Sequence, residues 1–233
     1  MMRETRPTPG RLAAGGGRPA LIAHGGGNSA ALVRSGLAAG ADYLEVDLWV
    51  HNGRLEARHE RRFPFHLPVF YEKWYLRPAP RRPFALAELL ASACPAAAVF
   101  LDLKNGGPQA TRLVAGALER APSCGVAASS QFWSLLRPLA RAAPGVGLFY
   151  SIDVQSKLDL FLSVSLHDLR PRGVSCRHTL LTPAVVAELH VRGLEVVAWT
   201  VDDEARAAEL TAMGVDGITT HRVAELRALL APA

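Results

Sequence analysis

The sequence predicts a single (β/α)₈ barrel. Short apolar or alternating runs recur along the chain, separated by segments of helical spacing, and eight such runs can be counted after one hairpin arm is set aside. Strict alternation of strand and helix gives parallel strands joined by right-handed crossovers, and eight of them close a barrel. The length agrees: 233 residues, 49% of them hydrophobic, lie near the ~250 typical of this architecture.

In order, residues 1–18 are rich in Arg, Pro and Gly and read as a flexible tail preceding a barrel domain over 19–233. The apolar run 20–23 ends in His24-Gly25-Gly26-Gly27-Asn28, a strand delivering a histidine to a glycine-rich turn. Residues 29–39 have helical spacing and stop at Gly40. In the next strand, 43–49, Leu44, Val46 and Leu48 alternate with Glu45 and Asp47, so both carboxylates share one face. Asn52-Gly53 then marks a hairpin that returns His59 toward them. Residues 62–83 mix aromatic residues with proline and predict an irregular excursion over the barrel mouth. Helix 84–93 leads into strand 99–104, where Asp102 and Lys104 face inward together. Strands at 126–129, 147–151, 173–176, 195–200 and 216–219 complete the set, with helices at 108–120, 131–142, 183–192, 204–213 and 223–230 and a mixed helical stretch at 152–169.

The net charge is +5, but the arginines are scattered among acids rather than gathered in a stripe, which argues against nucleic acid. Cys94, Cys124 and Cys176 are odd in number and widely spaced, and read as free thiols in a reducing, cytoplasmic compartment. No run of about 18 apolar residues is present to span a bilayer.

Inward carboxylates repel unless a cation sits among them, and acidic oxygens suit a hard divalent ion that can in turn hold a phosphate. His24, Glu45, Asp47, His59, Asp102, Lys104 and Trp199 form a candidate site on these grounds. In order and spacing the chain resembles the glycerophosphodiester phosphodiesterases from about residue 20 to 227. Their first strand ends in His-Arg-Gly, here His24-Gly25-Gly26, and their Glu-x-Asp strand is here Glu45-Val46-Asp47. The returning histidine is His59, the acid-x-Lys strand is Asp102-Leu103-Lys104, and the Trp-Thr strand is Trp199-Thr200. The closing motif reads Gly214-Val215-Asp216-Gly217-Ile218-Thr219-Thr220-His221. Departures are Gly25 for Arg, Asn28-Ser29-Ala30 for Glu-Asn-Thr, Asp102 for Glu, as in the related sphingomyelinase D barrels of spider venoms, and His221 for Asp.

The resemblance implies hydrolysis of glycerophosphodiesters to glycerol 3-phosphate and an alcohol. It implies Mg²⁺ or Ca²⁺ on Glu45, Asp47 and Asp102, with His24 and His59 as general acid and base, Lys104 on a phosphate oxygen and Trp199 as an apolar wall. A phospholipase D-like enzyme acting on lysophospholipid or sphingolipid, with membrane contact through 63–75, is the alternative enzyme. A non-catalytic phosphate- or membrane-binding barrel is the alternative from another class.

Overall fold

Each barrel strand sends alternate side chains to two different cores, and that alternation builds the molecule. The computed structural model describes residues 12, 17–63, 69–72, 75–121, 124–164 and 171–231. The barrel strands are β1 (Ala20–Ala23), β2 (Tyr43–His51), β7 (Ala98–Leu103), β8 (Val126–Ser130), β9 (Gly147–Ile152), β10 (Gly173–Arg177), β11 (Glu195–Trp199) and β12 (Gly217–Thr220). They pair in parallel in that order, and β1 pairs with both β2 and β12, so the sheet of eight is closed. Outside them lie α1 (Ala30–Ala38), α2 (Leu86–Ala93), α3 (Gly107–Glu119), α4 (Leu136–Ala142), α5 (Gln155–Ser163), α6 (Pro183–Val191), α7 (Glu204–Ala212) and α8 (Val223–Leu229). The fold is the (β/α)₈ barrel that the strand count predicts.

On β2, Leu44, Val46 and Leu48 pack toward the helices, as do Val99, Leu101 and Leu103 on β7. The intervening residues face the barrel axis, where Ala20, Ile22, Tyr43, Phe100, Ala127, Phe149 and Val197 fill the lower layers. Higher along the same faces the lining turns polar: Glu45 and Asp47, Asp102, Ser129, Ser151, Ser175 and Thr219. One end of the barrel is therefore a packed core and the other, at the strand C-termini, a polar cleft.

Two residues of the expected tail, Leu12 and Arg18, are held by the barrel. Leu12 is 1% exposed within the axial core, and its backbone N–H donates to Glu195 Oε2 at 3.4 Å. Arg18 forks onto Asp42 through Nη1 and Nη2 at 2.7 and 3.0 Å. Residues 1–11 and 13–16 of the expected tail lie outside the described residues.

Two expectations are corrected. The hairpin arm is present as expected, β3 (Arg54–Ala57) pairing antiparallel with β2, but the segment after His59 contains regular structure: β4 (Arg61–Arg62), β5 (Val69–Glu72) and β6 (Tyr75–Pro78) form a separate antiparallel sheet. Its core is one ring. Phe70 is 1% exposed, with the guanidiniums of Arg58, Arg62 and Arg77 at 4.9, 5.0 and 5.4 Å from its centroid. Glu56 pairs with Arg58 and Arg62, and Glu60 with Arg77. Proline rules out a helix there, but not short edge strands held by cation–aromatic packing. Trp74 lies outside the described residues.

The second correction concerns cysteine. Cys94 and Cys124 form a disulfide with Cα atoms 5.4 Å apart, and Cys176 alone is free and buried. Sequence spacing hides this proximity. Cys94 precedes β7 and Cys124 precedes β8, and these neighbouring strands start at the same end of the barrel. The bond removes the thiol argument for a reducing compartment. Thiol titration of the denatured, unreduced protein is expected to find one reactive group; three would exclude the bond.

Candidate active site

A cleft of about 200 Å³ at the C-terminal end of the barrel collects every residue singled out from the sequence: His24, Glu45, Asp47, His59, Asp102, Lys104 and Trp199 all line it. β1 ends at Ala23, which places His24 at the rim, and the chain turns sharply there because Gly25 adopts φ +62°. Its N–H donates to Glu45 Oε2 at 2.6 Å. An arginine at position 25 would be strained in this left-handed conformation, and an added Cβ would lie 3.2 Å from Asn28 Nδ2. Asn28 does separate work. Its Nδ2 donates to Asp47 Oδ2 at 2.7 Å and its Oδ1 accepts from the Asp47 N–H at 2.9 Å, so the turn grips the carboxylate at both ends.

Glu45, Asp47 and Asp102 each present an oxygen within 4.8 Å of the others. β2 and β7 pair with Asp47 directly opposite Asp102, which is why two strands suffice to assemble the three. Lys104 Nζ bridges them, 2.7 Å from Asp47 Oδ1 and hydrogen-bonded to Asp102 Oδ2. Three carboxylates against one ammonium leave the cluster two charges short of neutrality. Burial pushes the Glu45 carboxyl well up, with Asp47 adding to the effect. Burial also raises Asp102, only partly opposed by Lys104. For Asp47 burial is outweighed by Lys104 and Asn28, and the group sits below its ordinary value. Lys104 is raised despite burial, because Asp102, Asp47 and Glu45 all favour its charge. A donor set of buried and half-buried oxygens, two charges short when all three carboxyls are ionised, fits a divalent cation.

The two histidines differ in setting. Burial pulls His24 down to about 4, with His221 the next cause and Asp47 opposing, so its ring is neutral near pH 7. Its Nδ1 lies 2.9 Å from Thr200 Oγ1. His59, delivered by the hairpin as expected, is 54% exposed in its side chain and has Glu72 Oε2 3.5 Å from Nδ1. The two ring centroids are 6.5 Å apart. Trp199 closes one side, and its indole Nε1 is buried without a hydrogen-bond partner among the described residues.

Sequence reasoning missed Asn28 as a clamp, Ser129, Thr200 and the His221–Asp202 pair. Ser129 Oγ lies 3.5 Å from Asp102 Oδ1. Its signal was present: Ser129, like Ser151 and Ser175, occupies the inward position at the end of its strand. From the sequence His221 reads only as a departure from the family motif.

Residues 125–225 match the model of the glycerophosphoryl diester phosphodiesterase family, a span running from β8 to α8. The likeness is to the glycerophosphodiester phosphodiesterases. A segment of 47 residues is 45% identical to YhdW of Bacillus subtilis (strain 168), whose name assigns it provisionally to these enzymes. That match spans 20% of this chain and only 19% of the length of YhdW. Solved structures resemble the whole barrel. A protein of Silicibacter pomeroyi DSS-3, named provisionally for the same activity, gives TM-score 0.76 at 19% identity, over 94% of this chain and 95% of that one. A glycerophosphodiester phosphodiesterase of Parabacteroides distasonis ATCC 8503 gives 0.73 at 22% identity, over 91% and 97%. An Oleispira antarctica phosphodiesterase, solved with the product sn-glycerol-3-phosphate, gives 0.73 at 15% identity, over 91% and 96%. At these identities the likeness is one of fold. His24, Glu45, Asp47, His59, Asp102 and Lys104 lie outside the matched family span.

Proposed function

We propose that the protein hydrolyses glycerophosphodiesters to glycerol 3-phosphate and an alcohol. The observation that carries this reading is the convergence in one cleft of three carboxylates, an ammonium and two imidazoles, at the barrel end where such folds keep their chemistry. The product bound by the Oleispira phosphodiesterase supports the substrate class.

Glu45, Asp47 and Asp102 would hold Mg²⁺ or Ca²⁺, which would supply Lewis-acid stabilisation of phosphate charge. Lys104 is placed to share that charge. The substrate hydroxyl next to the phosphate attacks phosphorus and closes a cyclic phosphate, and His24, neutral near pH 7, is the base that takes its proton. His59, more exposed and beside Glu72, protonates the departing alcohol as its O–P bond breaks. Water then opens the resulting cyclic phosphate with the two roles reversed. Trp199 offers an apolar wall, and its free Nε1–H a donor to a substrate oxygen.

A lipid substrate is favoured by one specific observation. The β4–β6 sheet and its flanks expose Phe63, Tyr75 and Leu76, the last 67% exposed, and Arg61 and Arg81 are exposed in the same stretch of chain. An apolar and cationic edge next to His59 suits an anionic lipid surface. A cytoplasmic location is a proposal tied to the thiol titration: three thiols would support it, one would favour an oxidising compartment. Among the described residues no helix is long and apolar enough to cross a membrane.

The test is a panel of glycerophosphodiesters and lysolipids, with and without Mg²⁺ or Ca²⁺, read for phosphomonoester and cyclic phosphate. Metal-dependent product from soluble diesters is expected. Product from lysolipids alone, lost on Leu76→Ser with Tyr75→Ser, would shift the assignment to the lipid enzyme. No product from either, with phosphate still bound, would leave a binding barrel.

A further inference from the structure

The loops after β11 and β12 lock two imidazoles against each other. The ring of His221 lies on that of His24, with centroids 4.5 Å apart and planes 20° from parallel. Although His221 is exposed on its outer side, it is seated firmly. Its Nδ1 lies 2.8 Å from Asp202 Oδ2, and its backbone N–H donates to Asp202 Oδ1 at 2.8 Å. Asp202 Oδ1 also accepts from Thr220 Oγ1 at 2.9 Å, and Arg222 Nη1 donates to the Asp202 carbonyl at 3.1 Å. Burial of Asp202 is outweighed by these bonds from His221 and Thr220, which keep the carboxyl below its ordinary value. On its far edge His24 meets Thr200, two residues before Asp202. One short loop thus holds both rings.

We propose that His221 is a positioning residue for His24: seated by Asp202, it covers one face of the His24 ring and, with Thr200 at Nδ1, fixes the ring with its Nε2 lone pair available as the base. The inference rests on His24 acting as the base. The physics is that of an oriented imidazole, whose tautomer is set by the partner of its other nitrogen. The 2.9 Å contact between Nδ1 and Thr200 Oγ1 serves either tautomer; in the proposed arrangement Nδ1 is the donor, which leaves the lone pair on Nε2. Stacking removes the ring's freedom to turn away, and it places Asp202-bound imidazole, a potential cation, against His24. The other charged groups facing His24 are Asp47 and Glu45 from β2, His59 after β3 and Lys104 after β7. His221, His59 and Lys104 all oppose protonation of His24, and Asp47 favours it.

The test reads His24 directly, by ¹⁵N resonance of its imidazole nitrogens in the full chain at fixed Mg²⁺, across pH. His221→Phe keeps a stacking ring without the bond to Asp202; His221→Asp removes the ring and adds an anion; Asp202→Asn keeps both rings and loosens the seat. The His24 midpoint is expected to rise by roughly one unit in His221→Asp and by less in His221→Phe. In His221→Asp and Asp202→Asn the single Nδ1–H tautomer is expected to give way to a mixture. A midpoint and tautomer unchanged in all three overturn the proposal. A wild-type protein that cleaves no diester would instead overturn the proposed function, a result this measurement does not share.

Discussion

Replacing Lys104 by Met is expected to lower turnover by about 10²-fold or more and to make stability depend steeply on divalent ion. Among the described residues of the parent chain, Lys104 is the ammonium that pairs with Asp47 and Asp102, and it is the largest influence holding Asp47 below its ordinary value against burial. Breaking a buried pair by removing one partner costs about 3–5 kcal/mol, because the other charge remains. The sign of the pH effect follows from the two kinds of shift. Asp47, depressed in the folded chain, contributes stability above its unfolded value, and this is lost as pH falls through the folded one. Glu45 and Asp102 are raised, so the folded chain holds protons that the unfolded chain releases, and stability falls as pH rises above the ordinary carboxylate range. Without Lys104, burial also raises Asp47. All three groups then act in the second sense, and the melting temperature of Lys104→Met should rise between pH 8 and pH 5, more than that of the parent. Added Mg²⁺ or Ca²⁺ should also raise it, most strongly at neutral pH where protons compete least. Calorimetry at both pH values, with and without each ion, decides. A variant with near-parental turnover and no change in this dependence would mean that Lys104 is spectator to the cluster.

The barrel was legible because its rule is local: period-two alternation on β2 and β7 marks an inward face, and helical spacing between strands makes them parallel. The gathering of the candidate residues in one cleft was legible for the same reason. Glu45, Asp47 and Asp102 fall on inward positions near strand C-termini, and in a barrel of consecutive parallel strands β2 and β7 are neighbours, which puts Asp47 opposite Asp102. What stayed hidden depends on contacts between distant segments. Asn28 reads as a lost motif until the Gly25 turn folds it onto Asp47. Cys94 and Cys124 read as unrelated until β7 and β8 lie side by side. The β4–β6 sheet is held by guanidiniums around Phe70, an arrangement without a periodic signature. His221 carries no strand alternation at all; only closure of β12 against β1 brings it onto His24.

A glycerophosphodiester whose hydroxyl next to the phosphate is capped by a methyl group should be cleaved at least about 10³-fold more slowly than the free form. The lining of the cleft is the reason. Ser129 Oγ is near Asp102 and neither His24 nor His59 has a serine or cysteine hydrogen-bonded to it among the described residues, while Cys176, the free thiol, is buried and pushed up to about 12. A covalent intermediate of the serine or cysteine kind therefore lacks an activated donor. The substrate can supply its own nucleophile, and attack within one molecule gains an effective concentration of order 10⁵–10⁸ M. Methylation removes the attacking oxygen's proton and leaves His24 nothing to accept, whereas binding through phosphate is retained. The measurement is therefore paired: turnover of the capped diester, and its inhibition constant against the free one. Slow turnover with an inhibition constant near the free substrate's KM places the hydroxyl in the chemical step. Equal turnover of the two diesters would refute intramolecular attack and make water, activated by His24, the nucleophile from the start.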